Sequence, residues 1–107
     1  MTDHELLELA AKAAQLTILG SAPGHPGLDV CDEYRNDARR WWSPLTDDGD
    51  ALRLAVKLCM NVEVTDSVVF ACSIGNFSEP ATPDRNAAVR RAIVRAAAAM
   101  VSNGETV

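Results

Sequence analysis

Residues 41–58 read Trp41-Trp42-Ser43-Pro44-Leu45-Thr46-Asp47-Asp48-Gly49-Asp50-Ala51-Leu52-Arg53-Leu54-Ala55-Val56-Lys57-Leu58, and the order of residue types in this stretch decides the fold. Pro44 disfavours helical geometry at Ser43, so the tryptophans before it belong to an extended segment, predicted over residues 39–42. Acidic residues then open an apolar periodic stretch, and Thr46 or Asp47 is placed to cap a helix there. The stretch therefore predicts a strand, a turn and a helix in immediate succession.

The helix after this cap is expected to end near Met60 and to be amphipathic. Its wet side carries Arg53 and Lys57, which lie one turn apart. Its buried stripe is predicted from bulky apolar residues at helical spacing. They are Leu52, Val56 and Cys59, with Leu45, Ala55 and Leu58 beside them.

Downstream of this helix, residues 61–65 alternate in period two and residues 68–73 form a nearly continuous apolar run, with Asp66-Ser67 between them. This pattern predicts a β-hairpin whose second strand is central in its sheet. Residues 74–81 are predicted as a loop. Thr82 as cap and Pro83 at the first helical position then open a final helix that is expected to stop at Gly104. Its predicted inner face consists of Val89, Ala92, Ile93, Ala96 and Met100.

Upstream, Thr2 and Glu5 have the spacing of a capping box and predict a first helix over residues 3–15. A short β-friendly run follows over residues 16–19. Residues 20–37 are then predicted as a Gly/Pro-rich loop, which is either a mobile excursion or carries a ragged strand around residues 28–31.

These elements predict an α+β fold in which a small, mostly antiparallel sheet packs with about three helices, in an arrangement like an α/β/α sandwich. A chain of 107 residues that is 48% apolar can bury one core, so residues 1–107 are expected to form a single domain. Only 5% of the residues are aromatic, and the core is therefore expected to rely on Leu, Val, Ile and Ala.

The pattern Trp42-x-Pro44-x-Thr46-Asp47, followed by an amphipathic helix, a strand pair and an arginine-rich last helix, resembles the small phage and prophage ABA sandwich proteins. The resemblance covers roughly residues 5–15 and 38–101, and the segment from Gly20 to Tyr34 lies outside it. It implies the sandwich architecture and a bacteriophage or prophage gene product working in the bacterial cytoplasm. The family has no established chemistry, so the resemblance implies no catalytic residue.

The charge is acidic overall and unevenly distributed. The formal net charge is −5, which argues against a protein that mainly grips a phosphate backbone. Residues 29–50 hold seven acids against three arginines, whereas residues 84–101 hold four arginines against Asp84 alone. Opposite charges within one small chain suit either self-association or an internal layer of ion pairs.

The setting predicted from the sequence is reduced and soluble. Cys31, Cys59 and Cys72 are odd in number and lack CxxC spacing, so they are expected to be reduced. The chain shows neither a signal segment nor an apolar run long enough to span a membrane, and a cytoplasmic protein without membrane contact is expected.

Catalytic, metal and cofactor sites are not predicted. Asp47, Asp48 and Asp50 could supply oxygens to a hard cation, but helix capping explains them equally and EF-hand spacing is absent. His25, on the Gly/Pro-rich loop, could act as an acid or base, although no carboxylate or cysteine stands at ligand spacing from it. Phosphate-binding and dinucleotide-binding glycine motifs are absent from the sequence.

The candidate interaction surface consists of Arg40, Trp41, Trp42, Arg91 and Arg95. Neighbouring residues of a strand point to opposite faces, so one tryptophan is expected in the core and the other at the surface. The first function hypothesis is an accessory protein that binds another protein or itself. The alternatives are a weak nucleic-acid-binding module, since guanidinium groups and indoles suit phosphates and unpaired bases, and a small enzyme of unknown reaction.

Overall fold

The computed structural model describes residues 1–32 and 39–102 of the chain. Three helices and two three-stranded sheets follow one another as α1 (Asp3–Ala13), β1 (Leu16–Gly20), β2 (Leu28–Asp32), β3 (Arg40–Trp42), α2 (Asp48–Lys57), β4 (Asn61–Val64), β5 (Val68–Cys72), β6 (Asn76–Pro80) and α3 (Arg85–Ser102). The predicted α+β class with three helices is confirmed. The strands divide between two sheets, whereas the sequence suggested one.

Both sheets are antiparallel meanders. The first has the order β1-β2-β3, and Leu28 of β2 stands opposite Trp42 of β3. The second has the order β4-β5-β6, so β5 is central, as predicted. The hairpin turn at Asp66-Ser67 is also confirmed, because the Thr65 N–H donates to the Val68 carbonyl at 3.1 Å.

Helix α3 is the centre of the molecule, since α1, α2, β5 and β6 all pack against it. Helices can approach it closely because much of its surface is alanine, whose single methyl group keeps neighbouring backbones near. The buried residues of the molecule form one continuous cluster. Those that α3 contributes to this cluster are Ala88, Ala92, Ile93, Val94, Ala96, Ala97 and Ala98.

The segment before α3 and the start of α3 differ from the sequence prediction. Residues 76–80, predicted as part of a loop, form β6, because pairing with β5 supplies the backbone hydrogen bonds that the local sequence does not announce. The cap of α3 is Asp84, whose Oδ1 accepts from the Ala87 N–H at 3.1 Å, so Thr82 and Pro83 precede the helix.

The predicted loop over residues 20–37 is wrong at Leu28–Asp32, which form the regular strand β2 because they pair on both sides, with β1 and with β3. Residues 33–37 of that loop, and Gly104, the predicted stop of α3, lie outside the described residues.

The predicted buried stripe of α2 is wrong for its three main members. Its flanking members are confirmed in part, because Ala55 is buried and Leu45 and Leu58 pack half-buried against the core. Leu52, Val56 and Cys59 are exposed, and α2 buries the neighbouring stripe instead. That stripe consists of Asp50, Ala51, Leu54 and Ala55, of which only Ala55 was predicted to be buried. The helix ends at Lys57, three residues before the predicted stop.

None of the helices in the described part of the chain is both long enough and apolar enough to cross a membrane.

Candidate interaction surfaces

Arg90 fastens α3 to the start of α2. Its Nε donates to the Leu45 carbonyl at 2.9 Å and its Nη1 donates to Asp48 Oδ1 at 2.6 Å. This hydrogen bond from Arg90 lowers the pKa of the Asp48 carboxyl from its ordinary value, because it stabilises the ionised form; a hydrogen bond from Asn86 acts in the same direction.

Arg91 and Arg95, both members of the predicted surface, also have acidic partners inside the chain. Arg91 Nη1 lies 3.0 Å from Asp3 of α1, and Arg95 Nη1 lies 2.5 Å from Glu79 of β6. Arg95 also stands over the Phe77 ring, 5.2 Å from its centroid. The arginines of α3 thus form ion pairs with three different elements, which corresponds to the internal layer of ion pairs that the uneven charge suggested.

The two tryptophans lie on opposite faces of β3, as the alternation of a strand requires. Trp42 is 3% exposed and belongs to the core, whereas Trp41 is 47% exposed. The expectation of one buried and one exposed tryptophan is confirmed. Trp41 stacks on His25, with 3.8 Å between the ring centroids.

His25 is held in place by its own loop. Its Nδ1 accepts a hydrogen bond from the Gly27 N–H at 3.0 Å. Gly27 is required there, because a Cβ at this position would lie 2.5 Å from the Trp42 carbonyl oxygen. The loop therefore packs its backbone against β3 and places the imidazole on the exposed indole.

The three aspartates at the start of α2 turn to different partners. Asp47 caps the helix by accepting from the Asp50 N–H at 2.8 Å. Asp50 is buried and accepts from the Ser43 N–H at 2.9 Å and from Arg53 at 2.7 Å, while Asp48 binds α3. In residues 1–32 and 39–102, no group of three or more His, Cys, Asp or Glu side chains is arranged to hold a metal ion.

A groove with an apolar lining separates α2, β4 and α3. Its volume is about 250 Å³. Apolar side chains of all three elements form its walls, and four polar residues stand at its margin. The apolar ones are Ala51, Leu52, Val62, Val64, Val89 and Ile93, and the polar ones are Asp48, Arg85, Asn86 and Arg90.

The strand register explains why this groove is open. Val62 stands opposite Ala71 and Val64 opposite Val69, and both residues of β5 are buried under α3. The two valines of β4 therefore point to the same inner face, but β4 extends beyond the cover of the helices. They are 39% and 53% exposed, and Leu52 across the groove is 63% exposed.

The outer edge of β4 is unpaired within the described residues, because β4 is the first strand of its sheet and pairs with β5 alone. Natural edge strands are commonly protected by shortness, charged side chains, proline or a bulge. Strand β4 is short and carries Glu63, but it has no lysine, proline or bulge. All four residues of β4 are exposed. The free edge of β4 therefore lies beside two exposed valines.

Arg40, the remaining member of the predicted surface, lies on the Trp42 face of β3. These two residues line a small cavity together with Arg53 and Lys57, whereas Arg91 and Arg95 line a different one. The structure does not bring the five predicted residues together. The groove could not be predicted from the sequence, because helical spacing assigned Leu52 to the core and the pattern of residues 61–65 gave no sign that β4 would lie at an edge.

In comparisons with known proteins, the chain matches no protein-family model, no curated protein and no solved structure.

Proposed function

We propose that this protein works by self-association, in which two copies pair antiparallel along β4 and cover the groove between α2, β4 and α3. The observation that carries the proposal is the unpaired edge of β4, whose inward valines are exposed beside Leu52. Pairing along this edge would satisfy backbone groups and remove apolar surface from water at the same time.

The hydrogen-bonding pattern of the hairpin indicates which groups face the free edge. Thr65 and Val68 close the turn as a hydrogen-bonded pair, and such pairs alternate along antiparallel strands. Asn61 and Glu63 therefore bond to β5, while the N–H and C=O groups of Val62 and Val64 point outward. These outward groups are the ones that a second β4 would meet.

Charge excludes one register of the pair and favours another. Centring the twofold axis on Glu63 would place two carboxylates directly opposite each other, which destabilises a strand pair. Centring it on Val62 places Val62 opposite its own copy and Glu63 opposite Asn61 of the partner subunit, an amide that can donate to the carboxylate. A twofold interface is also the commonest symmetry of soluble oligomers.

The same axis gives a role to the exposed side of α2. Leu52 lines the groove over Val62 and Val64, so a copy paired along β4 brings its own α2 towards this helix across the axis. Contact between the two helices would cover Leu52 and Val56, which are otherwise exposed apolar residues on a helix.

The overall charge acts against this association and makes it dependent on salt. Each copy has a net charge of −5, and two copies repel each other at low ionic strength. Since the Debye length is about 8 Å at physiological ionic strength, added salt weakens this repulsion and should favour the dimer.

The average mass in solution, measured over about a hundredfold range of protein concentration, tests the proposal. By mass action, the fraction of dimer rises with protein concentration. We expect a concentration-dependent dimer for the unmodified chain and a monomer for Val62→Lys, which places a charge on the axis. Ile74→Lys is the control, since Ile74 is also an exposed aliphatic residue but lies in the turn after β5. A monomer at all concentrations, or a dimer unaffected by Val62→Lys, would contradict the proposal.

The biological setting remains a separate proposal. A phage or prophage origin, and a place in the bacterial cytoplasm, are supported by the resemblance carried by Trp42-x-Pro44-x-Thr46-Asp47 and the arginine-rich α3. Self-association along β4 does not depend on that origin.

A further inference from the structure

A second site lies away from the β4 edge, where β3 and α2 meet the end of α1 and the start of β1. A cavity of about 200 Å³ opens there. Its walls combine apolar side chains with three cationic ones. The apolar residues are Ala14, Leu16, Trp42 and Leu54, and the cationic residues are Arg40, Arg53 and Lys57.

This gathering of positive charge stands out against the pairing of the other basic residues. Five arginines outside this cavity form ion pairs with Asp or Glu, and they are Arg39, Arg85, Arg90, Arg91 and Arg95. Within the described part of the chain, Lys12, Arg40 and Lys57 form no such pair. Two of these three line the same cavity, in a protein whose net charge is negative.

Arg53, the third cationic residue of the cavity, is paired with two aspartates at the start of α2. Its Nη2 donates to Asp50 at 2.7 Å and lies 3.8 Å from Asp47. A guanidinium has five N–H donors, so donors remain after these contacts. Asp47 and Asp50 contact the cationic residues of the cavity only at Arg53, and these contacts fix the position of the Arg53 side chain.

The floor of the cavity explains what else a ligand would need. Trp42 and Leu54 are buried, whereas Arg40, on the Trp42 face of β3, lines the same cavity and is exposed. Drug-sized ligands occupy cavities of roughly 300–1,000 Å³, so this cavity suits a smaller molecule.

We infer that this cavity binds a small amphiphilic anion, a carboxylate or phosphate group carried on a short apolar or aromatic stem. The oxygens would accept hydrogen bonds from Arg40, Arg53 and Lys57, since guanidinium groups match the geometry of both anions. The stem would lie on Trp42 and Leu54.

Tryptophan fluorescence tests the inference when phenyl phosphate is titrated into the full chain carrying Trp41→Phe, in which Trp42 is the only tryptophan. We expect a saturable change in emission. Three further probes are titrated in parallel. Phenylacetate replaces the phosphate by a carboxylate, inorganic phosphate lacks the aromatic stem, and benzyl alcohol lacks the charge.

We expect phenyl phosphate or phenylacetate to bind more tightly than inorganic phosphate and benzyl alcohol, and the tighter of the two identifies the anion. Arg40→Gln with Lys57→Gln should weaken binding about tenfold or more, because hydrogen bonds to charged groups contribute this much. Lys12→Gln removes a cation elsewhere and should leave binding unchanged.

Three results would overturn the inference. The first is that neither phenyl phosphate nor phenylacetate causes a saturable change in emission. The second is that Lys12→Gln weakens binding as much as Arg40→Gln with Lys57→Gln does. The third is that inorganic phosphate binds as tightly as phenyl phosphate and phenylacetate. Thermal unfolding of each variant, which should match that of the Trp41→Phe chain, separates lost binding from lost folding.

Discussion

Gly27 shows how one residue without a side chain joins the loop after β1 to the core. A Cβ at Gly27 would lie 2.5 Å from the Trp42 carbonyl oxygen and 2.9 Å from Ser43 Cβ, so the backbones could not keep their present distance. Trp42 is itself in the core, and a shift there would reach the residues packed around it.

We therefore expect Gly27→Ala to lower the free energy of unfolding by about 1–3 kcal/mol, the usual cost of overpacking a close contact. Gly20→Ala is the control, because a Cβ at Gly20 would meet no atom within 4 Å. Chemical denaturation of both variants checks this, and equal stabilities would show that the loop can move away from β3 at no cost.

Residue patterns that act over three or four positions could be predicted from the sequence. Thr2 and Glu5 form the predicted capping box, with hydrogen bonds of 2.8 and 3.1 Å. Asp47 is one of the two predicted caps of α2. The role of Asp50 could not be predicted, because its hydrogen bond to the Ser43 N–H depends on how the turn folds back over the helix.

Helix α2 shows why local periodicity was insufficient at the scale of an element. The helix carries two apolar stripes side by side, and the sequence favoured the one with Leu52 and Val56. The molecule buries the stripe of Ala51, Leu54 and Ala55, whose small alanines allow a close approach to α3. Which stripe faces inward is decided by tertiary packing rather than by spacing.

Truncation of the two leucines of α2 separates these faces. Leu54→Ala should lower the free energy of unfolding by about 2–5 kcal/mol, because it leaves a cavity in the core. Leu52→Ala should change the stability of the monomer by no more than about 0.5 kcal/mol, as is usual at an exposed position. Denaturant unfolding at low protein concentration checks this, and similar losses for both variants would mean that Leu52 is also packed.

The ion pair between α2 and α3 has a consequence for pH. Because Arg90 lowers the pKa of Asp48 in the folded state, ionised Asp48 stabilises the fold above the ordinary pKa of 3.8. This contribution is lost as the pH falls through the lowered folded-state pKa. We expect the Asp48 pKa, followed by NMR, to rise towards its ordinary value in Arg90→Gln.

A matched control is Arg91→Gln, which removes an arginine one position away that pairs with Asp3 instead. That substitution should leave the Asp48 pKa at its lowered value. An equal rise in both variants would indicate a general charge effect rather than the contact with Arg90.

Strand β6 and the arginines of α3 mark the limit of prediction for the remaining elements. The β6 sequence is short, polar and closed by Pro80, and pairing on the edge of a sheet decides its conformation. The uneven charge suggested an internal layer of ion pairs, but the sequence did not show which acids of α1, α2 and β6 would pair with the arginines of α3.

At the scale of the whole molecule, the class of the fold followed from the sequence but the division into two sheets did not. Alternating patterns predict strands without stating which strands pair, and β3 and β4 are separated by α2. The second sheet is therefore left with β4 at its edge and an open groove beside α2. The sequence suggested self-association through surfaces of opposite charge. The structure instead favours self-association along the edge of β4 and the apolar groove beside it.

Backbone amide exchange of Val62 and Val64, measured at low and high protein concentration, tests the pairing along β4 most directly. Their outward N–H groups are open to water in a monomer and hydrogen-bonded in the proposed dimer, so we predict that exchange slows as the dimer fraction rises. The amide of Ile74, in the turn after β5, should exchange at the same rate throughout. If the mass shows a dimer while Val62 and Val64 exchange at an unchanged rate, the two copies meet elsewhere and the proposed interface is wrong.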